Sequence, residues 1–161
     1  MRRPLVQLLR TGDAEAGALI NLAANDENKI EIVRAGALEP LVQLLITGDV
    51  AGKTQAAGAL WNLAGNDDNQ IKIVRCGAVE PLVQLLRTGD ASGKTQAAGA
   101  LWKLARNDDN KVTIARAGAV EHLVQLSRTG DAAGRTQAAG ALKSLAVNDD
   151  NRIAIERATA S

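Results

Sequence analysis

Few residues of this 161-residue chain have the chemistry of a reactive centre. One histidine, His122, and one cysteine, Cys76, allow neither a histidine-based metal site nor a histidine-paired nucleophile. His122 stands where related segments have Pro40 and Pro81, and reads as a solvated residue at a helix start. Cys76 takes the slot of Ala35, Ala117 and Ala158, and reads as a small buried filler rather than a reactive thiol. Gly52-Lys53-Thr54 and Gly93-Lys94-Thr95 resemble the end of a phosphate-binding loop. That loop needs four residues between its glycines and a strand before them, whereas Gly48 and Gly89 leave too few and a helix precedes. The Asn-Asp-Asp-Asn clusters at 66–69, 107–110 and 148–151 lack the alternating acids, central glycine and terminal Glu of a calcium loop, so helix capping is expected of them. No paired carboxylates complete a catalytic set. The expectation is a non-enzymatic protein with no catalytic residue, no metal and no cofactor.

The residues suited to binding recur at a fixed period. Gly36 to Cys76 matches Gly77 to Ala117 with differences at 11 of 41 positions, and a third copy starts at Gly118. Self-similarity at such a period signals an array, because one unit cannot bury its apolar face alone. The chain 1–161 therefore reads as a single array: a truncated repeat 1–35, repeats 36–76, 77–117 and 118–158, and a tail 159–161. Gly17 and Gly58 keep the period while Pro4 and Pro40 do not, so residues are missing between Asp13 and Gly17.

Punctuation divides each unit into three helices. In the copy after Trp61, Asn66 to Asn69 supply caps and negative charge for a short helix that ends before Gly77. A second helix follows from Val79 to Arg87, with Pro81 near its start and Thr88-Gly89 at its stop. Asp90 caps a third and longest helix through Ala105. Composition agrees: 46% of residues are hydrophobic but only 1% aromatic, so the core is built from Leu, Ile, Val and helix-favouring Ala. The longest uncharged stretch near Trp61, Thr54 to Asn66, falls short of the roughly 18 to 20 apolar residues of a membrane span. No membrane association is expected.

With its glycine between the first two helices, its Gly-Ala-Val/Leu-x-Pro-Leu-Val-x-Leu-Leu second helix and its Gly-Ala-Leu-x-x-Leu-Ala third helix, the unit resembles the armadillo repeat over essentially the whole chain. The resemblance implies an all-α fold, a right-handed armadillo-type α-solenoid with three helices per repeat. It also implies a concave groove, lined by the third helices, that holds an extended peptide or protein segment.

The groove face follows from the helical wheel. Turning about 100° per residue from Leu60, the residues Ala56, Ala57, Leu63 and Ala64 fall within roughly 60° of it and form the core stripe. Gln55, Gly58, Trp61 and Asn62 fall on the other side. Later copies place Gln96, Trp102, Lys103 and Arg106, then Gln137, Lys143 and Ser144, in the same slots, and the first copy offers Asn21. Asn21 and Asn62 match the asparagine slot with which peptide-binding members of the family clamp a peptide backbone; Lys103 and Ser144 depart from it. Trp61 and Trp102 either cover the apolar edge of the helix layer or touch a ligand, and lying off the core stripe they should be replaceable by Ala at little cost in stability.

Lys103, Arg106 and Lys143 favour an acidic peptide. Nucleic acid is not expected, since 19 Lys plus Arg against 18 Asp plus Glu leave a formal charge of +1. The opening Leu5, Val6, Leu8 and Leu9 have no preceding helix to cover them, which points to a homodimer through the N-terminal end. Without a disulfide pair or a signal-peptide pattern, an intracellular location, cytoplasmic or nuclear, is expected.

The near-identity of the copies equally suits an engineered, consensus-like or duplicated scaffold without a dedicated natural ligand.

Overall fold

The structure, a computed structural model, describes residues 25–161. Asn21, the uncovered leucines near Leu5 and the shortened stretch after Asp13 lie outside the described residues. So does the N-terminal surface on which the expected dimer rests.

Among the described residues every regular element is an α-helix, in a repeating order of short, middle and long. The short first helices are α1 (Asp26–Arg34), α4 (Asp67–Arg75), α7 (Asp108–Arg116) and the longer α10 (Asp149–Ala160). The second helices are α2 (Leu38–Thr47), α5 (Val79–Thr88) and α8 (Ala119–Thr129). The third helices are α3 (Val50–Leu63), α6 (Ala91–Leu104) and α9 (Ala132–Leu145). Capping chemistry sets these bounds. Asn66 accepts a hydrogen bond from the Asn69 amide, and Asp90 one from the Gly93 amide at 2.8 Å, so each starts a helix by satisfying an orphan donor. Between first and second helices the chain must reverse in the left-handed region, and Gly36, Gly77 and Gly118 hold φ near +85° there.

The third helices α3, α6 and α9 lie side by side, each backed by the second helix of its own repeat. Their contact face is built from Ala56, Ala57, Ala97, Ala98 and Ala138, interleaved with Leu60, Leu63, Leu101, Leu104 and Leu145, all fully buried. Alanine there lets the helices approach closely while the leucines fill the seam between layers. Leu41, Leu82 and Leu123 of the second helices and Ile73 and Ile114 of the first complete one continuous core. The result is an all-α solenoid.

The Asn-Asp-Asp-Asn clusters cap helices, as expected, but their fourth residue does more. The Asn69 amide donates to the carbonyls of Leu63 at 3.0 Å and of Lys29, one repeat earlier, at 3.2 Å. Asn110 does the same with Leu104 and Gln70, and Asn151 reaches Lys111. Each asparagine thus ties two first helices together, and Asn69 and Asn110 also close the end of a third helix. Gln70, also buried, donates to the Ala64 carbonyl at 3.0 Å. Its counterpart Lys111, with 8% of its side chain exposed, sends its ammonium to Asp108 at 2.6 Å.

One expectation is corrected. Cys76 is exposed, not buried, because it forms the C-terminal cap of α4, where the chain turns outward into Gly77. In α10, Ile153 is 42% exposed while Ile155 rests on the core.

Asn110→Ala removes a second, side-chain donor from each of two buried carbonyls, Leu104 and Gln70, and is expected to lower stability by about 1 to 3 kcal/mol in urea unfolding. A loss below about 0.5 kcal/mol would show that water replaces the bonds. The Lys111 ammonium, by hydrogen bond first and charge second, holds Asp108 below the usual carboxylate range. A lowered carboxylate pKa stabilises the fold above its unfolded value, near about 4, and loses that contribution as pH falls through the lowered value. Asp108→Asn should therefore flatten the acid limb of a stability-against-pH curve; an unchanged acid limb would show the pair to be energetically silent.

Candidate functional site

The faces of α3, α6 and α9 opposite the alanine and leucine stripe form the candidate binding surface. Gln55, Gln96, Trp61, Trp102, Asn62, Lys103, Gln137 and Ser144 are half-buried on it, while Arg106 and Lys143 are exposed. The alanine and leucine stripe is buried as expected, but Gly58, which the wheel set on the other side, is buried as well. What the face offers a ligand differs from slot to slot.

The threonines are turned inward on their own helices: the hydroxyls of Thr54, Thr95 and Thr136 donate to the carbonyls of Val50, Ala91 and Ala132. The glutamines carry free polar ends, and the Gln137 Oε1 atom is buried without a donor among the described residues. Three cations, Lys103, Arg106 and Lys143, stand in successive repeats with no ion pair among the described residues. The stretches VAGKTQAAGALWNL, ASGKTQAAGALWKL and AAGRTQAAGALKSL of the third helices contain no carboxylate. Fixed charge contributed by these helices is uniformly positive.

The tryptophans sit at the junctions between repeats. A methyl group built on Gly99 would lie 2.6 to 2.7 Å from Cδ2, Cε2 and Cε3 of Trp61, and one on Gly140 equally close to the Trp102 ring. Three atoms about the ring-fusion bond at one distance mean that the indole lies face-on over the glycine of the next third helix. Both rings also pack against the core cluster. This packing accords with the lid role weighed from the sequence, and it removes the reason given for expecting a small cost, since the rings do touch the core. The wheel treats one helix, whereas the covering surface belongs to its neighbour. A partial signal was present: a glycine costs roughly 1 kcal/mol relative to Ala inside a helix, yet one recurs mid-helix at Gly58, Gly99 and Gly140 in every full copy.

The glycine-lysine-threonine segments are explained in the same way. Gly93 and Gly134 are buried, and a methyl group on either would lie 3.1 to 3.3 Å from the Asp cap, a leucine and the preceding repeat's Thr54 or Thr95. They serve close helix approach.

Away from this face, Val33, Gly36, Leu38, Glu39, Lys72, Arg75 and Cys76 line an open cavity of about 440 Å³ between first helices. Partial burial and then the Glu39 charge push the Cys76 thiol up, which keeps it protonated and a poor nucleophile. His122 is half-buried in the first turn of α8. No cluster of metal-ligating side chains occurs among the described residues, and none of their helices is long and apolar enough to cross a membrane.

Three consecutive stretches, 25–65, 66–106 and 107–147, match the family described as armadillo/beta-catenin-like repeat. The chain belongs to that family. The armadillo frame begins each repeat at the N-cap asparagine of a first helix, whereas the frame read from the sequence begins at the glycine after it; both keep the same period. Comparison with curated proteins gives no match. Among solved structures, a crystal structure of an engineered protein from a structural-genomics consortium shares 37% identity, with a TM-score of 0.90 over 97% of this chain and 68% of that one. A designed armadillo repeat protein in complex with the peptide (KR)4 is 29% identical, with a TM-score of 0.90 over 98% of this chain and 70% of that one. Computationally designed armadillo repeat proteins for modular peptide recognition give 30% identity, a TM-score of 0.90 and the same two coverages. Similarity to engineered and designed proteins accords with the consensus-like regularity of this array.

Removing a fully buried large side chain costs about 3 to 5 kcal/mol. Trp61→Ala and Trp102→Ala, at half-buried junctions, are each expected to cost roughly 2 kcal/mol or more in thermal or urea unfolding, while Lys143→Ala in the equivalent exposed slot should stay within about 0.5 kcal/mol. Equal, small effects at all three positions would remove the junction role.

Proposed function

We propose that this armadillo array is a non-enzymatic scaffold that binds an extended peptide or protein segment along its third helices, and that the segment is acidic. The observation that carries the reading is the charge of that face: three third helices without a carboxylate, with Arg106 and Lys143 exposed and Lys103 half-buried beside them. Packed helices stand roughly 8 to 10 Å apart and two residues of an extended chain span about 7 Å, so a strand-like ligand stays nearly in step with the repeats. Gln55, Gln96 and Gln137, with Asn62, Ser144 and Asn21, would then serve its backbone, since an amide donates to a carbonyl and accepts from an N–H at once. Trp61 and Trp102 would contribute only the ring edges that junction packing leaves open. Support comes from designed armadillo relatives made for modular peptide recognition, one of them in complex with (KR)4. The positive third-helix face of this chain calls for the opposite ligand charge.

The second reading, an engineered or duplicated scaffold with no dedicated ligand, is favoured by the 11 differences in 41 between adjacent copies, because sequence-specific recognition needs slots that differ. A labelled Glu-rich peptide and its Lys-rich counterpart separate the two by fluorescence anisotropy. The Glu-rich peptide should bind more tightly at low salt, lose most of that advantage near 1 M salt, and lose it also in Lys103→Glu/Lys143→Glu. Equal affinities overturn the acidic ligand, and flat recovery from a peptide library overturns the binding role.

A further inference from the structure

Two sets of charge flank the turns that lead from each third helix to the following first helix. Half-buried Lys103 lies in the last turn of α6 with exposed Arg106 just past its end, and exposed Lys143 lies in the last turn of α9. Just past each turn, in the first turn of the following first helix, stand Asp109 and Asp150, both exposed. Their neighbours Asp108 and Asp149 are taken by Lys111 and Arg152, but Asp109 and Asp150 join no ion pair among the described residues. A carboxylate in the first turn suits the helix dipole, which accounts for these aspartates and leaves the cations beside them without a partner. Because both sets advance by one repeat, they form parallel rows.

We propose that the edge bearing these rows is a self-association surface, and that its occupant is a second copy of this chain. A two-fold axis running along the edge between the rows turns the cation row of each copy onto the carboxylate row of the other. Lys103 and Arg106 then face Asp109 of the partner copy, Lys143 faces its Asp150, and the symmetry makes each pairing twice. Such an interface is isologous and closes as a dimer rather than growing into a filament. A formal charge of +1 adds almost no overall repulsion. The inference rests on the cations invoked for an acidic ligand: the carboxylates of the partner copy would occupy part of the same surface.

Sedimentation velocity on the whole chain, over roughly 1 to 100 µM, tests this at about 0.01 M and about 1 M salt, where charges are screened beyond about 30 Å and about 3 Å respectively. The expected result is a dimer at low salt and a monomer at high salt. Lys103→Glu/Arg106→Glu/Lys143→Glu makes the edge acidic and Asp109→Lys/Asp150→Lys makes it basic; each variant alone should be monomeric, and an equimolar mixture should restore a heterodimer. The mixture keeps the test decisive, because two misfolded variants would not rescue each other. A wild-type monomer at low salt overturns the dimer, and if it still prefers a Glu-rich peptide the acidic-ligand reading stands alone. A dimer indifferent to salt and to both variants overturns this edge and returns the contact to the apolar N-terminal end.

Discussion

Successive third helices approach so closely that a methyl group has no room at the centre of the contact. Gly99 and Gly140 meet the faces of Trp61 and Trp102, and Gly93 and Gly134 meet the threonines of the preceding repeat. A helix that accepts glycine at two interior positions gives up roughly 1 kcal/mol at each. That cost is offset by the area of an indole laid across the junction and by the close fit of the alanines beneath it. At the C-terminal ends of α3 and α6, a buried asparagine from the next first helix takes the terminal carbonyl and a backbone carbonyl one repeat back. Every junction is therefore closed at both ends.

The same arrangement decides what is left for recognition. Large aromatic side chains are favoured as hot spots when a ligand can bury them, but here the repeats bury them first. The open face offers instead a row of amides and unpaired cations. Position by position, the third helix divides its work: Ala and Leu hold the layers together, Trp and Gly join the repeats, and Gln, Ser and Lys remain for a partner. The differences between copies respect this division, since Asn62, Lys103 and Ser144 vary among the open slots while Leu60, Leu101 and Leu142 do not change.

The architecture was legible because its signals are local. Asp90 and Ala105 bracket the third helix as the punctuation required, and Pro81 lies in the first turn of the second. Capping, glycine stops and apolar spacing act within a few residues, and a repeat multiplies the evidence. What escaped depends on partners a full repeat away. Asn69 looks like one more capping side chain until the Lys29 carbonyl is brought to it, and Trp61 looks solvent-facing until α6 lies beneath its ring. Cys76 was misplaced for a related reason: alanine in the equivalent slots suggests burial, yet alanine is also at ease in an exposed helix cap. The cations of the face were found from sequence because surface charge needs no partner to be seen.

The central claim is that indole and glycine at each junction form one interlocking unit, and a double-mutant cycle on Trp61 and Gly99 measures it most directly. With Trp61 present, Gly99→Ala should destabilise by about 1 to 3 kcal/mol, the usual range for overpacking a filled site. With Trp61→Ala in place the clash is gone and Ala is the better helix former, so the same substitution should become neutral or stabilise by up to about 1 kcal/mol. A reversal of sign is the predicted result. If Gly99→Ala costs the same in both backgrounds, ring and glycine are independent and the account of the junction is wrong.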